Sequence, residues 1–306
     1  MPDAAGRAPM PRALALYELA WGAALPLLVP VLALHPRTRG GLAQRFGWRL
    51  PPAPAEPSGA SVWLHGSSAG DVAALAPLAA RLAAMGSQVA VSAWTSSGHQ
   101  MARRRIDGQA RVLRAPLDLR GPVERVLQRL RPRVVALECL ELWPRLVLTC
   151  RRRDVPVAVV NGRLSSRSLA RYGAAPWLFA PGFRSLALVV ASSDAHAERF
   201  CAAGVPEARV TVGPSTKYGA LELREGDPPP PPRAAAAGPV VVLGSLHRGV
   251  EERELLPQIP RIVAARPDVR VVLAPRHPHR AARTARRLRR MGLGCALASR
   301  IGAGAP

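Results

Sequence analysis

The sequence predicts an α/β fold: a mostly parallel sheet covered by helices on both faces, followed by a second, smaller α/β domain. Three observations carry this. Short β-branched and aliphatic runs alternate with Ala/Leu-rich helical runs from residue 61 to residue 212. The stretch 61–71, SVWLHGSSAGD, reads as a buried strand, a turn of small residues and a helix start. A Pro/Ala-rich tract at 223–239, LREGDPPPPPRAAAAGP, then separates that region from two further strand–helix repeats.

Residues 1–12 are small and polar and read as a disordered start. Residues 13–34, ALALYELAWGAALPLLVPVLAL, carry one charge, Glu18, and two prolines, Pro26 and Pro30. At about 1.5 Å per residue this run is long enough to cross a bilayer. Arg37, Arg39, Arg45 and Arg49 follow it and mark the cytoplasmic side. The reading is an N-terminal membrane anchor over 1–35, spanning or lying in the interface; the alternative is an apolar helix packed on the protein itself. PPAPAEP at 51–57 is a linker.

Strands are expected at 62–64, 88–94, 110–115, 134–137, 155–160, 185–191 and 210–212, within a domain spanning 36–222. Helices are expected between several of them, at 72–85, 99–106, 121–130, 143–152 and 195–203. After the linker, strands at 240–243 and 269–273 and helices at 251–265 and 279–291 make up a domain of 240–306. About seventy residues are half of what a doubly wound domain needs, so this second domain reads as partial.

The chain has 306 residues, 48% of them hydrophobic, a formal net charge of +23 and an isoelectric point near 11.7. Lys217 is the sole lysine among 43 Lys and Arg residues. Such a field implies an anionic partner: nucleic acid, an anionic membrane or a phosphorylated substrate. The basic helix 280–290, RAARTARRLRR, lacks the interleaved aromatics of a nucleic-acid binder. It reads as a membrane-facing or solvated surface instead. Four scattered cysteines show no metal-like spacing and fit buried free thiols of a reducing compartment.

Ligands of parallel sheets sit beyond the carboxyl ends of the strands, and polar residues gather there. Asp71 stands at the start of a helix after a glycine turn, either as a cap favoured by the dipole or as a general base. His65 is a second acid/base candidate or a locally hydrogen-bonded strand-end histidine. Glu138 and Glu141 follow an apolar strand, and burial calls for a partner, an arginine for one of them. Arg163 and Arg167 lie among hydroxyls in NGRLSSRS, a pattern suited to phosphate or carboxylate. Lys217 supplies a compact point charge in an Arg-rich chain. SLHRGVEE at 245–252 and APRHP at 274–278 form a second wall of polar strand ends.

HGSSAGD, WTSSG, PLDLRGPV, ELWP, NGRLSSRS, the Lys217 segment, SLHRGVEE and APRHP occur in that order. As an ordered set they resemble the Kdo (3-deoxy-D-manno-octulosonic acid) transferase family. The resemblance implies a GT-B glycosyltransferase with two Rossmann-like domains. The first would bind the lipid A precursor and the second CMP-Kdo, in lipopolysaccharide core biosynthesis at the cytoplasmic face of the inner membrane. It implies an inverting transfer without metal or other cofactor. Asp71 inherits the family's general base, which is a glutamate there, and Lys217 the stabilisation of the transition state. Cys139-Leu140-Glu141 stands where the family has Glu-Thr-Glu, which makes Glu141 the third catalytic candidate. The implied acceptor contacts are Ser68, Gly70, Arg163 and Ser165; the implied donor contacts are His247, Pro275 and Arg276. The competing expectation is a homologue that holds the anionic glycolipid without turnover. Nucleic acid is not an expected partner.

Overall fold

The structure is a computed structural model describing residues 12–36, 38, 40–52, 61–106, 108, 110–216, 238–247 and 249–298. The chain divides into two compact units, Met1–Glu225 and Gly226–Pro306. Most of both linkers and Lys217 lie outside the described residues.

The first unit opens with helix α1 (Arg12–Leu34) and a single turn, α2 (Leu42–Arg45). A regular alternation follows: β1 (Ser61–Gly66), α3 (Ala69–Ala84), β2 (Gln88–Ala93), α4 (Ser96–Arg105), β3 (Ala110–Arg114) and α5 (Arg120–Leu130). It continues through β4 (Val134–Glu138), α6 (Pro144–Arg152), β5 (Val157–Gly162), α7 (Ser166–Gly173), α8 (Pro176–Ser185), β6 (Leu188–Ala191), α9 (Asp194–Ala202) and β7 (Val210–Val212). All seven strands are parallel in the order β3-β2-β1-β4-β5-β6-β7.

Every residue of β1 is buried, because helices cover both faces of this central strand. Val62 and Leu64 point to the face packed by α3 and α4. Trp63 points to the other, with Val123, Leu146, Phe183 and Phe200. The order of strands reverses direction between β1 and β4, which opens a crevice at their carboxyl ends.

Sequence and structure differ in two places in this unit. The strand expected from residue 185 starts at Leu188, because α8 runs through Ser185 and caps against Leu186. Helices α7 and α8 were not expected; α7 is N-capped by Ser165, whose hydroxyl accepts from Ser168 N–H.

Helix α1 is fastened to the sheet domain at its first turns. Leu14 is buried against Leu148 and Leu178. Tyr17 donates to Asp118, and Glu18 pairs with Arg145 at 2.5 Å while accepting Arg120 N–H at 2.9 Å. Its remaining length is bare: Leu19, Leu27, Val31 and Leu34 are exposed.

The second unit holds β8 (Val240–Leu246), α10 (Val250–Leu255), α11 (Ile259–Ala265), β9 (Arg270–Pro275) and α12 (Ala281–Arg290). Helices pack on one face through Leu246, Leu256, Ile259 and Leu288. Val240, Val242 and Val272 on the other face are exposed. The single helix expected at 251–265 is broken by a 3₁₀ turn at Leu256–Gln258, where Pro257 cannot donate to the helical ladder.

Candidate active site

The turn between β1 and α3 is built by a capping box. Ser68 is the N-cap, and its hydroxyl accepts from Asp71 N–H. One carboxylate oxygen of Asp71 accepts both Ser68 N–H and Ser68 Oγ–H, each at 2.8 Å. The capping reading of Asp71 is therefore met in full, with the side chain half-buried at the mouth of the crevice. Gly66 is required behind it, since a Cβ there would stand 3.1 Å from that of Asp71.

Helix α4 packs against the same turn. Thr95 N–H and Oγ–H both donate to Ser67 O, at 2.9 and 3.0 Å. A Cβ on Gly98 would lie 3.0 Å from Ser67 O and 3.1 Å from Ser68 C. Gly98→Val is thus expected to cost about 1–3 kcal/mol through overpacking, read by chemical denaturation.

Across the switch point, β4 delivers Glu141. The Ser67 hydroxyl and the Trp143 indole donate to its carboxylate, and Asp71 lies close enough to repel it. Burial first, then the charge of Asp71, pushes the Glu141 carboxyl up to about 7. Two carboxylates, one just after β1 on Ser68 and one just after β4 on Ser67, thus face each other across the turn. Trp143 packs on Trp94 with ring planes tilted by 33° and centroids 5.3 Å apart, and Arg45 lies 4.5 Å from the centre of the Trp94 ring. Arg45 is fully buried, donates to Trp94 O, and falls to about 10 because its charge is desolvated.

The next strand ends are strained. Cys139 and Asn161 hold left-handed φ values of 62° and 51°, a cost that persists where surrounding structure fixes it. Buried Asn161 donates to Glu138 at 2.8 Å, and Thr216 Oγ approaches the same carboxylate at 3.4 Å. The chain thus reaches the β4–β5 ends just before Lys217. Sequence reasoning expected an arginine partner for Glu138 or Glu141; the Ser67 hydroxyl and the Trp143 indole serve Glu141, and the donors to Glu138 include the Asn161 amide and the Thr216 hydroxyl. Arg163 and Ser165 follow β5, both exposed, and Ser165 is occupied as the cap of α7. Gly70 lies in the first turn of α3.

His65 is structural. The Ser92 hydroxyl accepts from Trp63 Nε1–H and is hydrogen-bonded to His65 Nδ1, both at 2.8 Å. Burial pushes the imidazole down to about 4, and it is neutral at physiological pH.

In the second unit, Leu246 pairs with Pro275 and accepts Arg276 N–H at 3.0 Å. This brings exposed His247 beside Pro275 and Arg276 at adjacent strand ends. His247 N–H donates to Glu251 at 2.7 Å. Among the described residues no group of three His, Cys, Asp or Glu side chains is placed to hold a metal ion.

Sequence reasoning missed Asp118. It is fully buried and accepts from Arg145 N–H at 2.9 Å, Leu146 N–H at 2.8 Å and Tyr17 Oη–H at 2.9 Å. It caps α6 from another element, so local spacing could not find it. An acid inside the apolar context of PLDLRGPV was the available signal.

A parallel sheet with helices on both faces and a switch point between β1 and β4 is a Rossmann-like α/β fold. Solved structures agree at the level of fold. UDP-GlcNAc 2-epimerase of Neisseria meningitidis is similar at a TM-score of 0.51 and 12% identity, over 75% of this chain and 69% of that one. The Methanocaldococcus jannaschii UDP-GlcNAc 2-epimerase is similar at 0.50 and 14%, over 76% and 69%.

The chain belongs to the 3-deoxy-D-manno-octulosonic-acid transferase (kdotransferase) family, whose N-terminal glycosyltransferase region matches residues 40–220. The Bordetella pertussis 3-deoxy-D-manno-octulosonic acid transferase is 31% identical over 95% of this chain and 70% of its own length. The Haemophilus influenzae enzyme is 25% identical over 83% of this chain, and the Chlamydia pneumoniae enzyme 28% over 83%. These matches span 61% and 59% of the length of those two relatives.

Proposed function

We propose that the chain acts in glycosyl transfer, moving Kdo from CMP-Kdo to the lipid A precursor in lipopolysaccharide biosynthesis. The observation that carries this reading is the Asp71–Glu141 pair at the β1/β4 switch point. In the inverting reaction, the acceptor hydroxyl oxygen attacks the anomeric carbon as the bond to the CMP phosphate oxygen breaks. The electron pair of that bond leaves with CMP, and the hydroxyl proton passes to a carboxylate. A group titrating near neutrality is matched to that task. Glu141, whose carboxyl is raised by burial and by the charge of Asp71, takes that proton in its ionised form, while Asp71 holds the turn. In this reading Lys217 stabilises the transition-state charge, Ser68, Gly70, Arg163 and Ser165 contact the acceptor, and His247, Pro275 and Arg276 contact the donor.

A transfer assay with labelled CMP-Kdo and lipid A precursor tests this: product made by the chain and lost in Asp71→Ala/Glu141→Gln is expected. No product, with lipid binding that survives Asp71→Ala, would instead support the reading of a glycolipid-holding homologue.

The substrate is a membrane lipid, and α1 is the proposed anchor, on the cytoplasmic face. Leu14, Tyr17 and Glu18 are held by the domain. The free run after Glu18 would extend only about 24 Å at 1.5 Å per residue, short of the roughly 30 Å hydrocarbon core. The reading is therefore a helix lying in the interface. Cysteines introduced at Met10 and Pro36 are expected to react with an impermeant maleimide from the same side of sealed vesicles. Labelling from opposite sides would show a spanning helix.

A further inference from the structure

The second unit contains a cavity of about 790 Å³ between α10 and α12. Its walls carry Arg253, Arg280, Arg283, Arg286, Arg287 and Arg290. The one carboxylate in the lining, Glu252, is buried and accepts from Arg280 at 3.3 Å. The other five guanidiniums have no acidic partner among the described residues. His247, Pro275 and Arg276 do not line it.

Three of these arginines, 283, 287 and 290, recur at helical spacing along one face of α12, and Arg280 at its N-cap continues the row. Like charges three or four residues apart destabilise a helix by a few tenths of a kcal/mol per pair. The arrangement thus works against α12 unless negative charge sits in front of it. Guanidinium forks match the paired oxygens of phosphate, and several converging on one concavity favour a ligand carrying more than one phosphate charge. The volume lies within the range of small-molecule sites.

We propose that this cavity is a polyanion site for phosphate-bearing ligands, separate from the strand-end residues assigned to the sugar donor. It stands whether or not the chain transfers Kdo, because its test reads binding alone. The same chemistry is offered by a soluble phosphoanion and by the headgroups of an anionic lipid, and the two are distinguished as follows.

The full chain in neutral detergent is titrated with pyrophosphate. In parallel, its binding to phosphatidylcholine vesicles is compared with and without phosphatidylglycerol, so that any contribution of α1 cancels. Saturable pyrophosphate binding that weakens with salt, and loses at least about tenfold in Arg283→Ala/Arg287→Ala, is expected for a soluble ligand. A phosphatidylglycerol increment lost in the same variant, without pyrophosphate binding, identifies a lipid headgroup and equally supports the site. Arg253→Ala, on the facing helix, repeats the test should the double variant misfold by circular dichroism. Absence of both signals, or equal signals in wild type and variants, overturns the proposal.

Discussion

Glu141→Gln is expected to lower the rate of Kdo transfer by about 10²–10³-fold, the usual contribution of a positioned proton acceptor. The wild-type rate should rise with pH through an acid limb near 7, where Glu141 loses its proton, and the limb should vanish in the glutamine variant. Asp71→Asn should move the limb down, because it removes the charge that repels Glu141. The movement will be partial, since burial is the larger cause. Stability should respond in the opposite sense. The folded-state pKa of Glu141 is raised, so its favourable contribution is complete below about 4.5 and is lost as pH rises to about 7. Above pH 7 the glutamine variant is therefore expected to be more stable, by roughly 2–3 kcal/mol. An enzyme variant that is slower yet harder to unfold separates a catalytic role from a structural one. Equal activity in wild type and Glu141→Gln across pH 5–9 would remove Glu141 from the mechanism.

The second large effect concerns Asp118. Asp118→Ala leaves two N–H groups of α6 and the Tyr17 hydroxyl without their shared acceptor. The expected cost is about 3–5 kcal/mol, as for several buried donors stripped of a partner, measured by denaturant unfolding. Burial pushes Asp118 up to about 6 in spite of these donors. Its contribution thus falls as pH rises from about 3.8 to about 6, and Asp118→Asn should flatten that part of the stability profile. Tyr17→Phe, which deletes one donor and leaves the carboxylate in place, should cost about 1 kcal/mol.

Much of the fold was legible because its signals are local. The apolar runs of β1, β2 and β4 carry their own period, and the small-residue turn before Asp71 announces a strand–helix junction. The adjacent placement of His247 and Arg276 was legible for the same reason, as polar groups just past apolar strands. What escaped was set by partners distant in sequence. Trp94 and Trp143 meet only because β2 and β4 flank β1, with Arg45 arriving from α2. Glu138 finds Asn161 because β4 and β5 pair, and both turns need backbone conformations that composition does not reveal. Asp71 was legible as cap and as acid alike; its effect on Glu141 emerges only from the order of strands. Helices α7 and α8 were hidden by Gly173, Pro176 and Pro181, which read as loop; here Gly173 ends α7, Pro176 starts α8 and Pro181 lies within it.

The anchoring contacts converge on a short piece of chain. Asp118 and Glu18 grip Arg145 and Leu146, and Glu141 lies only four residues before Arg145. For a helix resting on lipid, that bolt works as a ruler. Under the proposed function it would set a constant stand-off between the bilayer surface and Glu141. Loosening the bolt would leave the chemistry intact and spoil its altitude.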